Sequence, residues 1–155
     1  MNDDAAGVQV VRELAGQYEF PPEVTLLDGG TLGLDLLPHL EGIDRLLVVD
    51  AVETGHPPGT LIRLTGEDIP LALATKVSPH QMGLKDLLLV ADLQGHAPPE
   101  MVLWGVQPES IEMDMTLTPA VAEAVPALRT RVMTELAAWG IRPVKTVETG
   151  RMQPP

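Results

Sequence analysis

The sequence predicts an α/β protein, a three-layer α/β/α sandwich with a mostly parallel central sheet. Residues 46–49 (Leu-Leu-Val-Val) are apolar without alternation, which is typical of a strand covered by helices on both faces. Strand-like and helix-like segments alternate along the chain, as in βαβ architectures. The length of 155 residues fits one domain, which we place at 1–145, with a flexible tail at 146–155.

Composition restricts the class of partner and the compartment. The formal net charge of −12 argues against nucleic acids and anionic membranes, which require a basic surface. The absence of cysteine excludes disulfides, a thiol nucleophile and cysteine-ligated metals, and it fits the cytosol. No apolar run approaches the roughly 18 residues of a membrane span. We therefore expect a cytoplasmic protein that binds neither nucleic acid nor membrane.

The first third of the chain contains a helix, a strand and a second helix by pattern. Apolar residues recur at helical spacing between positions 8 and 14, and Asp3 or Asp4 can cap that helix. Residues 24–27 have the composition of a short strand, which ends at Asp28. Leucines between positions 32 and 40 indicate a helix that packs on the sheet, with a proline confining it.

The central strand, residues 45–52, opens the second part of the chain. Residues 60–64 alternate like a strand with one wet face, as at a sheet edge. Residues 65–80 lack periodicity, which indicates a functional loop, and a strong helix is predicted from 82 to 93. A last buried strand at 101–106 follows. The final helix is predicted from an N-cap at Thr118, with proline at the first helical position, to Trp139.

Three side chains at turns between elements are candidates for function: Asp4, Asp50 and His80. Burial of an isolated carboxylate is costly, so Asp50 is expected just past the C-terminal end of the central strand, where open α/β sheets bind ligands. Two carboxylates and one imidazole form a mixed oxygen and nitrogen ligand set that suits a divalent transition metal, nickel included. Spacing alone supports this set weakly, because many such triples occur in a chain of this size.

Four motifs carry a family resemblance. In order, they are residues 28–34 (Asp-Gly-Gly-Thr-Leu-Gly-Leu), 49–51 (Val-Asp-Ala), 78–84 (Ser-Pro-His-Gln-Met-Gly-Leu) and 105–110 (Gly-Val-Gln-Pro-Glu-Ser). Together they resemble the hydrogenase maturation endopeptidases, and the resemblance extends from Asn2 to about Ile141.

The resemblance implies an activity and a partner. The protein would remove a short C-terminal peptide from the precursor of a nickel–iron hydrogenase large subunit after metal loading, with the substrate's nickel as the recognition mark. Asp4 would be the first nickel ligand, in the pattern Asp-Glu/Asp-x-x-Gly, and Asp50 and His80 the second and third. The nickel belongs to the substrate and is not held permanently. Asp28, Gly29 and Gly30 would support the site.

Simpler interpretations stand beside these roles. Asp4 could cap a helix, Asp50 could form a turn, and His80 could cap or pack against the helix that follows. Asp28 could be structural, and the two glycines after it first of all give the backbone conformational freedom.

The function classes also remain open at this stage. The alternatives to the endopeptidase are a non-catalytic nickel-checking or chaperone module and a fragment that is inactive for lack of its first strand. The sequence contains neither the Gly-x-Ser-x-Gly pattern of a serine hydrolase nor the His-Glu-x-x-His pattern of a zinc peptidase. It does not identify the attacking group.

The start of the chain departs from the family pattern. The family opens with a buried strand and a Gly-x-Gly-Asn turn before the acidic pair, whereas this sequence begins inside that turn. We expect about a dozen preceding residues, the length of one typical strand and its turn, in the parent gene. A chain expressed from Met1 is expected to be less stable than the extended one.

Overall fold

The computed structural model describes residues 6–27, 36–69, 79–109 and 118–146; for 79–85 it describes the backbone alone. The helices are α1 (Ala6–Gln17), α2 (Leu37–Leu40), α3 (Pro79–Leu93) and α4 (Pro119–Ala138). The strands are β1 (Tyr18–Glu19), β2 (Arg45–Ala51), β3 (Leu61–Thr65), β4 (Glu100–Val106) and β5 (Val144–Lys145). In this part of the chain, no helix is long and apolar enough to cross a membrane.

Strand β4 is the middle strand of the described three-stranded sheet. It pairs with β2 in parallel from Arg45 opposite Glu100 to Ala51 opposite Val106, and with β3 in the antiparallel direction. The described sheet is therefore mixed, with one parallel and one antiparallel pairing. The strand predicted at residues 60–64 lies at the edge of this strand order, as its alternating pattern indicated.

Helices cover both faces of the sheet, which confirms the α/β class. Successive residues of a strand point to opposite faces, so Leu47 and Val49 of β2 join one core cluster and Leu46 and Val48 join another. The first cluster contains apolar side chains of α1 and α4, and the second contains Leu88 of α3. The unbroken apolar run in β2 thus follows from burial on two sides.

Several predicted boundaries differ from the structure. Residues 24–27 form no strand; Val24 instead donates its N–H to the carbonyl of Pro21, and Leu26 and Leu27 are 36% and 38% exposed. A segment of strand-like composition forms a strand only where a second backbone segment pairs with it. Residues 24–27 belong to neither described sheet.

Helix α3 begins at Pro79, three residues before the predicted start, because proline is tolerated in a first helical turn. The antiparallel pairing of β1 with β5 was not predicted, since two-residue strands are too short to show a period. Residues 28–35, 70–78 and 147–155, which include most of the predicted loop and tail, lie outside the described residues.

The start of α1 packs against the backbone of β2. A Cβ atom built on Gly7 would lie 2.0 Å from the carbonyl oxygen of Val49 and 2.6 Å from its carbonyl carbon. Real Cβ atoms do not approach other heavy atoms so closely, so this contact requires glycine. It fixes the first turn of α1 at the C-terminal end of β2.

Replacement of Gly7 with alanine is expected to destabilise the fold. The added methyl group has to displace backbone atoms, and overpacking of this kind costs about 1–3 kcal/mol. Gly16 provides the matched control, because it lies in the same helix and nothing beyond its chain neighbours and the backbone of that helix is within 4 Å of the position that an added methyl group would take. Gly16→Ala should raise the free energy of unfolding by roughly 0.5–1 kcal/mol. Urea titrations followed by circular dichroism measure the free energy of unfolding of both variants. An equal change in that free energy for the two substitutions would contradict the contact at Gly7.

Candidate functional site

Asp50 lies at the C-terminal end of β2, inside the strand and not past its end as predicted. Its side chain is 1% exposed, and its Oδ1 accepts a hydrogen bond of 2.8 Å from the N–H of Ala51. The residue opposite it on β4 is Gly105, which places no side chain beside the carboxylate. A Cβ on Gly105 would lie 2.7 Å from Cγ2 of Val52, so the space there is narrow. The N–H of Ala51, the last residue of the strand, gives the buried carboxylate a hydrogen-bond donor, which lowers the cost of its burial.

Helix α3 brings its first turn to the same edge of the sheet. Its Leu88 packs with Val52 and Leu103 on the sheet face to which Asp50 belongs. Six residues connect the end of α3 to the start of β4, so the helix runs back along that strand and begins near its C-terminal end. Position 80 is the second residue of α3. The placement of His80 at the site stays a prediction.

The other predicted site residues cannot be located in the same way. Asp4, Asp28, Gly29, Gly30 and the side chain of His80 lie outside what the structure describes. Within the described residues, no group of three or more potential metal ligands occurs. The convergence of Asp4, Asp50 and His80 therefore stays a prediction. The structure does explain the glycine of the Asp-Glu/Asp-x-x-Gly pattern, because Gly7 is the residue that meets β2.

Gln107 is a site-forming residue that the sequence analysis missed. Its side chain is 3% exposed, and its Oε1 accepts hydrogen bonds from the N–H of Thr54 at 2.8 Å, the hydroxyl of Thr54 at 3.2 Å and the N–H of His56 at 3.3 Å. Its Nε2 donates to the carbonyl of Pro108 at 3.2 Å. The available signal was its position directly after a buried strand, inside the fourth motif. We name residues 52–60, which Gln107 holds, the β2–β3 loop.

The backbone of Gln107 holds the other end of the same loop. Its carbonyl accepts from Gly59 N–H and its N–H donates to the carbonyl of Thr60, both at 2.8 Å. Gly59 has a φ of +88°, and a Cβ there would lie 2.8 Å from the carbonyl oxygen of Ala120 in the first turn of α4. Helices α1, α3 and α4 thus all begin at the edge of the sheet that contains Asp50. Helix N-termini carry partial positive charge, which favours carboxylates there.

A sequence model of the hydrogenase maturation protease family matches residues 8–135. A hydrogenase expression/formation protein, HupD of Rhodobacter capsulatus, is 42% identical over 145 residues, which cover 92% of this chain and 69% of the relative. The hydrogenase 2 maturation protease of Escherichia coli K12 is 37% identical over 145 residues, 93% of this chain and 88% of the relative.

Solved structures show the same similarity. The hydrogenase maturating endopeptidase HybD from E. coli superposes with a TM-score of 0.86 at 36% identity, over 94% of this chain and 90% of that one. The [NiFe] hydrogenase maturation protease HybD from Thermococcus kodakarensis superposes with a TM-score of 0.67 at 28% identity, over 87% and 90% of the two chains.

A charged cluster lies on the face of the sheet opposite to Asp50. Glu135 of α4, 8% exposed, accepts hydrogen bonds from Arg63 Nε at 2.8 Å, Arg63 Nη2 at 2.9 Å and the indole of Trp104 at 2.9 Å. The hydrogen bonds from Arg63 are the main reason why the pKa of Glu135 is below its ordinary value of 4.5, and the pKa of Arg63 is raised in turn. Because its partners join β3, β4 and α4, this cluster stabilises packing between those elements.

Glu135→Gln is expected to lower stability at neutral pH and to do so less in acid. The folded-state pKa is below 4.5, so the carboxylate contributes stability above that pH and loses it as the pH falls through the folded-state pKa. Loss of one partner of such a network costs about 1–3 kcal/mol of stability. The value should be at the lower end of that range, because Arg63 is half-exposed and solvent screens its charge.

Urea unfolding between pH 3 and pH 7 measures this difference between the two proteins. Glu123→Gln, the same change at an exposed position of α4, is the control and should show no such pH dependence. A Glu135→Gln deficit that is constant across the pH range would contradict the assignment.

Proposed function

Because the chain belongs to the hydrogenase maturation protease family and is an endopeptidase of that family, we propose that it removes the C-terminal extension from the nickel-loaded precursor of a nickel–iron hydrogenase large subunit. The observation that carries this proposal is the buried carboxylate of Asp50 at the edge of the sheet where three helices begin. Open α/β sheets bind their ligands at that edge.

The precursor's own nickel is the group that Asp50 is proposed to contact, together with Asp4 and His80. Asp4 precedes Gly7 by three residues, and three residues span at most about 10–11 Å. Since Gly7 contacts Val49, the chain is long enough to bring Asp4 to the carboxylate of Asp50. Asp, Asp and His supply two oxygen ligands and one nitrogen ligand, a set that suits nickel.

The charge of the protein supports recognition of a metal-loaded substrate. A formal net charge of −12 attracts a cationic centre, and a nickel ion offers more attraction to a carboxylate than the same peptide without it. Nickel at the scissile bond would polarise the carbonyl or activate water. Asp50, Asp4 and His80 would select the loaded precursor and orient it, and Asp28, Gly29 and Gly30 would support them.

Incubation with two forms of the precursor tests the proposal. The nickel-loaded precursor should lose the mass of its C-terminal extension in intact-protein mass spectrometry, and the nickel-free precursor should not. Equal cleavage of both forms would show that nickel is not the recognition mark. Complex formation without cleavage would instead indicate a nickel-checking module.

Asp50→Asn is expected to reduce processing by at least about 100-fold, the size of effect seen when a group that stabilises charge in an active site is lost. The fold should remain, because an asparagine oxygen can still accept the hydrogen bond from Ala51 N–H. The melting temperature should change by no more than about 2–4 °C. The rate of extension loss and the melting curve measure the two effects.

Asp44→Asn is the matched control, since Asp44 is exposed beyond the other end of the same strand. It should process precursor at the wild-type rate. His80→Ala should lose processing as Asp50→Asn does. Normal turnover by Asp50→Asn would remove this carboxylate from the mechanism, and normal turnover by His80→Ala would do the same for the imidazole.

A further inference from the structure

A chain of hydrogen bonds runs outward from the buried amide of Gln107 through Thr54 to the exposed ring of His56. The orientation of the amide is fixed by its partners, because the N–H groups of Thr54 and His56 can only donate and must face the oxygen. The hydroxyl of Thr54 also lies 3.2 Å from that oxygen, which links the threonine side chain to Gln107.

This arrangement determines which nitrogen of His56 is left for a further partner. Nδ1 of His56 lies 2.7 Å from Oγ1 of Thr54. This contact uses Nδ1 in either tautomer of the ring, so that nitrogen is engaged by Thr54. The other ring nitrogen, Nε2, remains on an exposed side chain and can hydrogen-bond a further group.

The β2–β3 loop is held in place by Gln107 at both ends. The loop leaves the sheet immediately after Asp50 and Ala51, and the N–H of Val52 still bonds to the carbonyl of Val106 at 3.0 Å. The side chain of Gln107 then holds residues 54–56, and its backbone holds residues 59–60. An exposed imidazole, held through Nδ1, is thereby placed at the edge of the sheet where the precursor is proposed to bind.

We propose that Gln107 is a positioning residue for precursor binding: it fixes Thr54 and the β2–β3 loop so that Nε2 of His56 forms a hydrogen bond with the backbone of the precursor. This inference rests on the proposed function. His56 contacts the substrate, while Gln107 and Thr54 act through His56. The interaction contributes to binding of the precursor and leaves the chemical step to the residues near Asp50.

Steady-state kinetics with the nickel-loaded precursor test the proposal. His56→Ala, Thr54→Val and Gln107→Leu should each raise KM about 3- to 10-fold, the range for loss of one hydrogen bond of about 0.5–1.5 kcal/mol. The value of kcat should stay within about twofold, because no group at the scissile bond changes. Thr54→Ser returns the hydroxyl and should bring KM back toward the wild-type value. Thr130→Val, the same change on the exposed side of α4, should leave KM unaltered.

Combination of variants separates a positioning role from a structural one. If Thr54 acts through His56, the double variant Thr54→Val/His56→Ala should raise KM no more than His56→Ala alone. Additive effects, or a normal KM in His56→Ala, would overturn the inference. If Gln107→Leu does not fold, the Thr54 and His56 variants still decide the matter. Wild-type protein that fails to cleave the nickel-loaded precursor would refute the proposed function, whereas normal wild-type cleavage with unchanged variants would refute this inference alone.

Discussion

The parallel pairing of β2 with β4 is the constraint on which the rest of the structure depends. It joins segments separated by 55 positions and holds them in register over seven residue pairs, from Arg45 opposite Glu100 to Ala51 opposite Val106. The register places Asp50 beside Gly105, so the carboxylate has a neighbour without a side chain. It also ends both strands at the same level, which brings the loop after β2 against the residue that follows β4. Gln107 can hold that loop because the two strands end together.

Burial on two faces makes part of this arrangement predictable from sequence. An unbroken apolar run such as residues 46–49 indicates a covered strand, and a helix with apolar residues at regular spacing indicates which side it buries. These patterns predicted β2, β4, α3 and α4. The edge position of β3 followed from its alternation, because one face of that strand is wet. The cost of burying a carboxylate predicted Asp50 past the end of the strand, whereas the residue lies within the strand and is buried, with the N–H of Ala51 as a donor.

Other features depend on contacts between distant segments, and no local pattern encodes them. Residues 24–27 resemble a strand in composition but belong to neither described sheet. Whether such a segment pairs depends on a second segment that its own sequence does not specify. The closeness of Gly7 to Val49 and the three acceptor contacts of Gln107 are likewise set by the assembled fold. For the same reason the ligand triad came from a family resemblance and not from spacing: His80 and Asp4 are remote from Asp50 along the chain.

The cluster around Glu135 has a consequence for spectroscopy. The sequence contains two tryptophans, Trp104 and Trp139, and both pack on the sheet face covered by α1 and α4. Each indole lies under an arginine, with Arg131 at 5.5 Å from the Trp104 ring and Arg45 at 5.6 Å from the Trp139 ring. Their emission therefore monitors the packing of that face, while Asp50 belongs to the other. Substitutions around Asp50 should leave the tryptophan fluorescence nearly unchanged. Folding can therefore be followed by fluorescence and cleavage of the precursor by mass, both in one sample.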